Sequence, residues 1–73
     1  MSQATYKNTQ LKNFGLKLKF FRIEKGFSQE SLALLCGIDR SYLGAVERGE
    51  KNISLLNIYK LASALSVDIR EFF

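Results

Sequence analysis

Residues 29–48 read QESLALLCGIDRSYLGAVER, and the order of apolar, small and polar positions in this stretch decides the fold. Leu32 and Cys36 recur at helical spacing before Gly37, and Leu43 and Val46 do so after it. Only Gly37 and Ile38 stand between the two helical segments, a connection too short for antiparallel packing and suited to a sharp corner. Gly37 supplies the left-handed backbone that turns the chain, and Ala33 is small where the second helix must approach closely. Leu32, Cys36, Ile38, Leu43 and Val46 then form one inner face.

Outward from this corner a local pattern repeats: an apolar residue, a Ser or Asp, and a second apolar residue four positions past the polar one. It occurs at Phe27/Ser28/Leu32, Ile38/Asp39/Leu43, Ile53/Ser54/Ile58 and Val67/Asp68/Phe72. The polar oxygen accepts from unpaired amides of a first helical turn, and the apolar pair clamps that turn as a hydrophobic staple. Glu71, three residues after Asp68, completes a capping box and complements the helix dipole. Upstream, Leu11, Phe14, Leu18 and Phe21 make one stripe of a helix that should end near Gly26. With no proline and no sustained period-2 alternation, the chain is predicted to be all-α. The five helices are placed at 11–25, 28–36, 39–48, 54–65 and 68–73. Residues 1–10 are read as a polar N-terminal tail and 11–73 as one domain.

A chain of 73 residues holds one compact core, and at 47% hydrophobic and 25% charged its composition is globular. A domain this small buries only about 60% of its unfolded surface, so support from a partner subunit is expected. There is no histidine and one cysteine, Cys36, which excludes a Ser-His-Asp triad, a zinc finger and a disulfide framework. Ser28, Ser31 and Ser41 show no spacing that would activate a nucleophile, so the chain is read as no enzyme, with no metal and no cofactor. A lone thiol, read as a small core residue, the lack of an apolar run of ~20 residues and a start without a signal-peptide core imply a cytoplasmic location and no membrane.

The net charge of +4 is unevenly spread. Residues 1–27 hold Lys7, Lys12, Lys17, Lys19, Arg22 and Lys25 against Glu24 alone. A basic pole suggests a polyanion such as nucleic acid, and a solvated lysine face accounts for the charge equally well.

Taken together, QESLALLCGIDRSYLGAVER with its flanks resembles the Cro/repressor-type (XRE) helix-turn-helix family. FGLKLKFFRIEKGFSQESLA is similar to that family's first two helices and LLNIYKLASALSVDIREFF to its fourth and fifth, so the resemblance covers about residues 14–73. Within the family, DRSYLGAVERGEKNIS and the compact size are most similar to the controller proteins of restriction–modification systems. Phage-type repressors and antitoxin subunits share much of the same pattern.

A helix-turn-helix lays its second helix in the major groove with the N-terminal residues toward base edges. Arg40, Ser41, Tyr42, Gly44 and Ala45 are therefore the candidate base contacts. Arg40 leads, because a guanidinium can bond guanine O6 and N7 together. Gly44 costs about 1 kcal/mol relative to alanine within a helix, which close approach to DNA or tight contact with another helix would each offset. Ser28, Gln29 and Ser54 at helix starts, with Arg48, Lys51 and Asn52 after the recognition helix, are the candidate phosphate contacts.

The resemblance further implies a structural ion pair between Arg22 and Glu47, and dimerisation through the fourth and fifth helices, with Ile69, Phe72 and Phe73 at the interface. A second apolar stripe, Leu16, Phe20 and Ile23, is left either to be covered by the chain's own ends or to meet a partner. The reading is a homodimeric, sequence-specific regulator of transcription on a two-fold symmetric double-stranded operator, with no small-molecule effector. The rival is a protein-interaction or antitoxin subunit using the same fold.

Overall fold

The computed structural model describes residues 3–73, with side chains from residue 5 onward. Helix α1 runs Gln3–Glu24, α2 Gln29–Cys36, α3 Arg40–Glu47 and α4 Leu55–Leu65, followed by one 3₁₀ turn at Ile69–Phe72. No strand occurs among the described residues, and no helix there is long and apolar enough to cross a membrane.

Two expectations are corrected. The segment 3–10, read as a polar tail, is the start of α1. Its residues carry no apolar period to announce a helix, but they also include no glycine or proline, and extending a helix already nucleated costs little per residue. Residues 1 and 2 of that tail lie outside the described residues. The fifth helix is a single 3₁₀ turn, closed by Glu71 N donating to Asp68 O at 2.9 Å and Phe73 N to Arg70 O at 3.2 Å. A segment this short gains too few bonds to repay an α-helical nucleus, whereas 3₁₀ geometry suits short pieces.

Three of the four polar helix starts are capped by side chains. Ser28 Oγ accepts from Ser31 N at 3.0 Å, Ser54 Oγ from Asn57 N at 3.2 Å, and Asp68 Oδ1 from Arg70 N at 2.9 Å. Glu71 answers Asp68 as the box predicts, accepting from Asp68 N at 3.0 Å. Ser31 plays the same part for Ser28, accepting from its amide at 2.9 Å. Asp39 has the extended backbone of a cap but makes no side-chain cap bond. There the corner itself starts α3: Gly37 sits at φ 68°, ψ 31°, and its amide closes α2 onto Ala33 and Leu34.

The core gathers Phe14 and Leu18 from α1, Leu32 and Ala33 from α2, Leu43 and Val46 from α3, Ile58, Leu61, Ala62 and Leu65 from α4, and Phe72 from the final turn. Phe21, Cys36 and Ile38 pack against it, partly exposed. Phe72 is 2% exposed, its ring stacked on Phe14 at 5.2 Å and edge-on to Phe21 at 5.5 Å. The close crossing of α1 and α3 depends on Gly15. A Cβ there would collide with the carbonyl oxygen of Glu47 and lie 2.5 Å from that of Val46.

Candidate nucleic-acid interface

The α2–α3 corner sets the surface of α3 that can meet a ligand. Leu43 and Val46 hold its inner side in the core, which turns Arg40 and Ser41 to solvent at its N-terminal end. Tyr42 is half-buried against the core, with its hydroxyl 3.5 Å from Asn57 Nδ2 on α4. A guanidinium, a hydroxyl and a phenol edge are thus presented side by side on a rigid element, a set able to donate to and accept from base edges.

Behind α3 lies a buried polar cluster. Arg22 Nε and Nη2 donate to Glu47 Oε2 and Oε1 at 2.6 and 3.1 Å, a two-pronged pair with both residues buried. Arg22 Nη1 also donates to Phe27 O at 3.0 Å, tying in the loop before α2. Gln29 Nε2 donates to Glu47 Oε1 at 3.0 Å. One carboxylate on α3 therefore collects α1 and α2 together, and no buried side-chain polar atom among the described residues lacks a partner. Charge-assisted, forked bonds of this kind fix orientation as well as energy.

Gly44 and Ala45, expected among the base contacts, are buried instead. Gly44 lies beneath two side chains: a Cβ there would stand 3.2 Å from Arg48 Nη1 and 3.4 Å from Gln29 Oε1. Its compensation is this close packing. Ala45 is 7% exposed because the chain after α3 folds back over it, Glu50 N donating to Ala45 O at 2.9 Å.

Among the candidate phosphate contacts, Ser28 and Ser54 are exposed at the starts of α2 and α4, and Gln29 sits in the first turn of α2 with its amide held by Glu47. Arg48, Lys51 and Asn52 are exposed on the loop. Arg48 Nε donates to Glu50 Oε2 at 3.1 Å, and that bond holds the Glu50 carboxyl below its ordinary range. The positive charge of Arg48 is thus partly answered in the free protein.

The candidate dimer residues are split. Phe72 is a core residue and Ile69 packs partly against the core, so the interface expectation for Phe72 is corrected; burying its ring completes the layer over Phe14. Phe73 is 74% exposed. It lines a depression with Asn52, Ile53 and Ile58, next to the start of α4. The sequence reading missed Leu55, Leu56 and Tyr59, which form an exposed apolar face on α4. Their signal was present, since they fall off the Ile58, Leu61, Leu65 stripe at spacings of three and four residues. Leu16, Phe20 and Ile23 are exposed as a second face on α1.

Comparison with known proteins places this geometry. The Helix-turn-helix family model HTH_3 matches residues 18–72. The Neisseria hypothetical transcription factor of Neisseria meningitidis is 56% identical over 50 residues, 68% of this chain, which spans 47% of that protein's length. Control protein C.MunI of a Mycoplasma species is 43% identical over 61 residues, 82% of each chain. The crystal structure of the restriction–modification controller protein C.AhdI from Aeromonas hydrophila superposes with a TM-score of 0.86 at 55% identity, covering 89% of this chain and 98% of that one. With its two-helix corner, its Arg22–Glu47 brace and a family match spanning most of its length, this chain belongs to the XRE-type HTH_3 helix-turn-helix family and is a homologue of the restriction–modification controller proteins.

Proposed function

We propose that this transcription regulator binds double-stranded DNA as a homodimer on a two-fold symmetric operator, and that it controls restriction–modification genes, its own gene among them. The observation that carries the reading is the exposed N-terminal end of α3, where Arg40 and Ser41 face solvent next to the half-buried Tyr42 while Glu47 locks the back of the helix to Arg22. Arg40 reads a guanine, and Ser41 and Tyr42 contact the neighbouring base or phosphate. Ser28, Gln29, Ser54, Lys51 and Asn52 set the register on the backbone. Gly44 and Ala45 are buried and read no base, which leaves few long side chains over the groove. Part of the specificity therefore comes from DNA shape and deformability.

The dimer surface is assigned to Leu55, Leu56 and Tyr59 of α4 with Phe73 beside them. A two-fold dimer that reads successive major grooves needs its two α3 helices about 34 Å apart, one turn of DNA. Among the chain's relatives are control proteins and a transcription factor, which favours the regulator over the antitoxin or adaptor reading.

Selection of binding sites from a randomised duplex library tests this. The expected result is a two-fold symmetric motif with half-sites one turn apart, bound by a dimer. Recovery of no motif, or binding by a monomer to a single half-site, would overturn it.

A further inference from the structure

Lys7 and Lys12 precede the residues matched by the family model, and nothing above gives them a role. Both are exposed on the early turns of α1. With Asn8 and Leu11 they line one open depression whose other wall is Arg48, Gly49 and Glu50, the segment directly after α3. Lys12 is held there by contact. A Cβ on Gly49 would sit 2.6 Å from Lys12 Cγ and 2.9 Å from its Cα, so the lysine stem rests on this loop. Lys7 stands five residues earlier, about 7.5 Å along the helix axis. Three cations thus border the depression against one carboxylate, Glu50, which is already bonded to Arg48.

A second observation points the same way. The first turn of α1 contains no acidic residue, and no Asp or Glu precedes Glu24 in the chain. The unpaired amides of a helix start favour anions and disfavour cations. Lys7 and Lys12, in the turns that follow, have no acidic residue three or four positions away on their own helix, so their charge is left for an external polyanion to answer.

We infer that the first turns of α1 form a phosphate clamp, with Lys7 and Lys12 joining Arg48 to grip the DNA backbone at the C-terminal end of α3. The inference rests on the DNA-binding reading above. Arg40 and Arg48 lie eight residues apart, about 12 Å along the helix, so base reading and backbone gripping occupy opposite ends of the recognition element. Because phosphates carry no sequence information, the clamp raises affinity for every duplex alike and steepens its dependence on salt.

The test measures affinity of the full chain for a selected operator and for a random duplex across a salt series. Wild type is compared with Lys7→Gln/Lys12→Gln and with Lys19→Gln/Lys25→Gln, which removes the same charge elsewhere in the basic third of the chain. The first pair should lower the log–log salt slope by about 1.8 and weaken binding about 30-fold at 0.15 M salt on both duplexes, at ~0.9 per phosphate contact. The second pair should change the slope by less than half as much. In wild type alone, amides of residues 5–12 should gain hydrogen-exchange protection when DNA is bound. A wild-type slope in Lys7→Gln/Lys12→Gln, an equal fall in both pairs, or no gain in protection would overturn the clamp. Equal affinity of wild type for operator and random duplex would instead refute sequence-specific binding while leaving the clamp standing, and binding to no duplex would refute both.

Discussion

Replacing Glu47 by alanine should be among the most damaging single substitutions in this chain. The change removes both acceptors of the Arg22 fork, at 2.6 and 3.1 Å, and the acceptor of Gln29 Nε2 at 3.0 Å. Arg22 keeps only its bond to Phe27 O, and its guanidinium stays buried with no countercharge. Breaking a buried pair from one side costs about 3–5 kcal/mol, because the surviving charge is left desolvated. A 73-residue domain has about 4–11 kcal/mol in total, so about a quarter or more of the stability should go, with a fall in Tm of at least ~12 °C. Replacing both partners by apolar residues, Arg22→Met with Glu47→Leu, should restore most of that loss, since no charge then remains unpaired. Urea unfolding followed by far-UV circular dichroism on wild type, Arg22→Met, Glu47→Leu and the double variant measures the coupling, and Glu47→Ala is unfolded beside them. A loss below about 1 kcal/mol for Glu47→Ala would mean that the pair behaves as an exposed one and would refute the reasoning.

Gly15→Ala should destabilise by about 1–3 kcal/mol by forcing α1 off the carbonyls of Val46 and Glu47; thermal melting showing the gain of ~1 kcal/mol usual for this change in an open helix would contradict the close approach. Arg40→Ala should weaken operator binding about 5- to 150-fold and relax preference at one position of each half-site, whereas retained preference in a repeated site selection would move base reading elsewhere. Burial raises the Cys36 thiol above its ordinary value, with Lys60 pulling weakly the other way. Its alkylation by iodoacetamide should therefore be slow at neutral pH and inflect at higher pH than that of an unfolded control peptide. Because the folded value is the higher one, this group's contribution to stability is present below the unfolded pKa and is lost as pH rises through the folded one. An inflection below that of an unfolded control peptide would refute the assignment.

The helix-turn-helix was legible because its parts are local. Gly37, the capping serines and the Leu32/Leu43/Val46 pattern each act within a few residues, and each appears in the structure where its chemistry puts it. The length of α1 was hidden because residues 3–10 hold neither an apolar period nor a breaker, and helix continuation leaves no mark in a polar sequence. The final turn showed the reverse: its capping box was readable, but a cap marks where a turn begins and does not tell 3₁₀ from α geometry. Burial of Gly44, Ala45 and Phe72 depended on what lies across the fold, namely Gln29, the loop at Glu50 and the ring of Phe14. Gly15 could have been suspected, since a glycine amid an apolar helical stripe costs stability unless a neighbour needs the space.

Phe72 has a consequence for the living cell. Ribosomes make a chain from its N-terminus, and this ring, which seals the layer over Phe14 and Phe21, comes latest in the sequence among the described core residues. At about 5–20 residues per second, roughly 3–12 s pass between the making of Phe14 and its covering by Phe72. During that interval the nascent helices have no closed interior. A chain cut just before Phe72 would keep every groove-facing residue and lose the ring that closes the layer over Phe14 and Phe21.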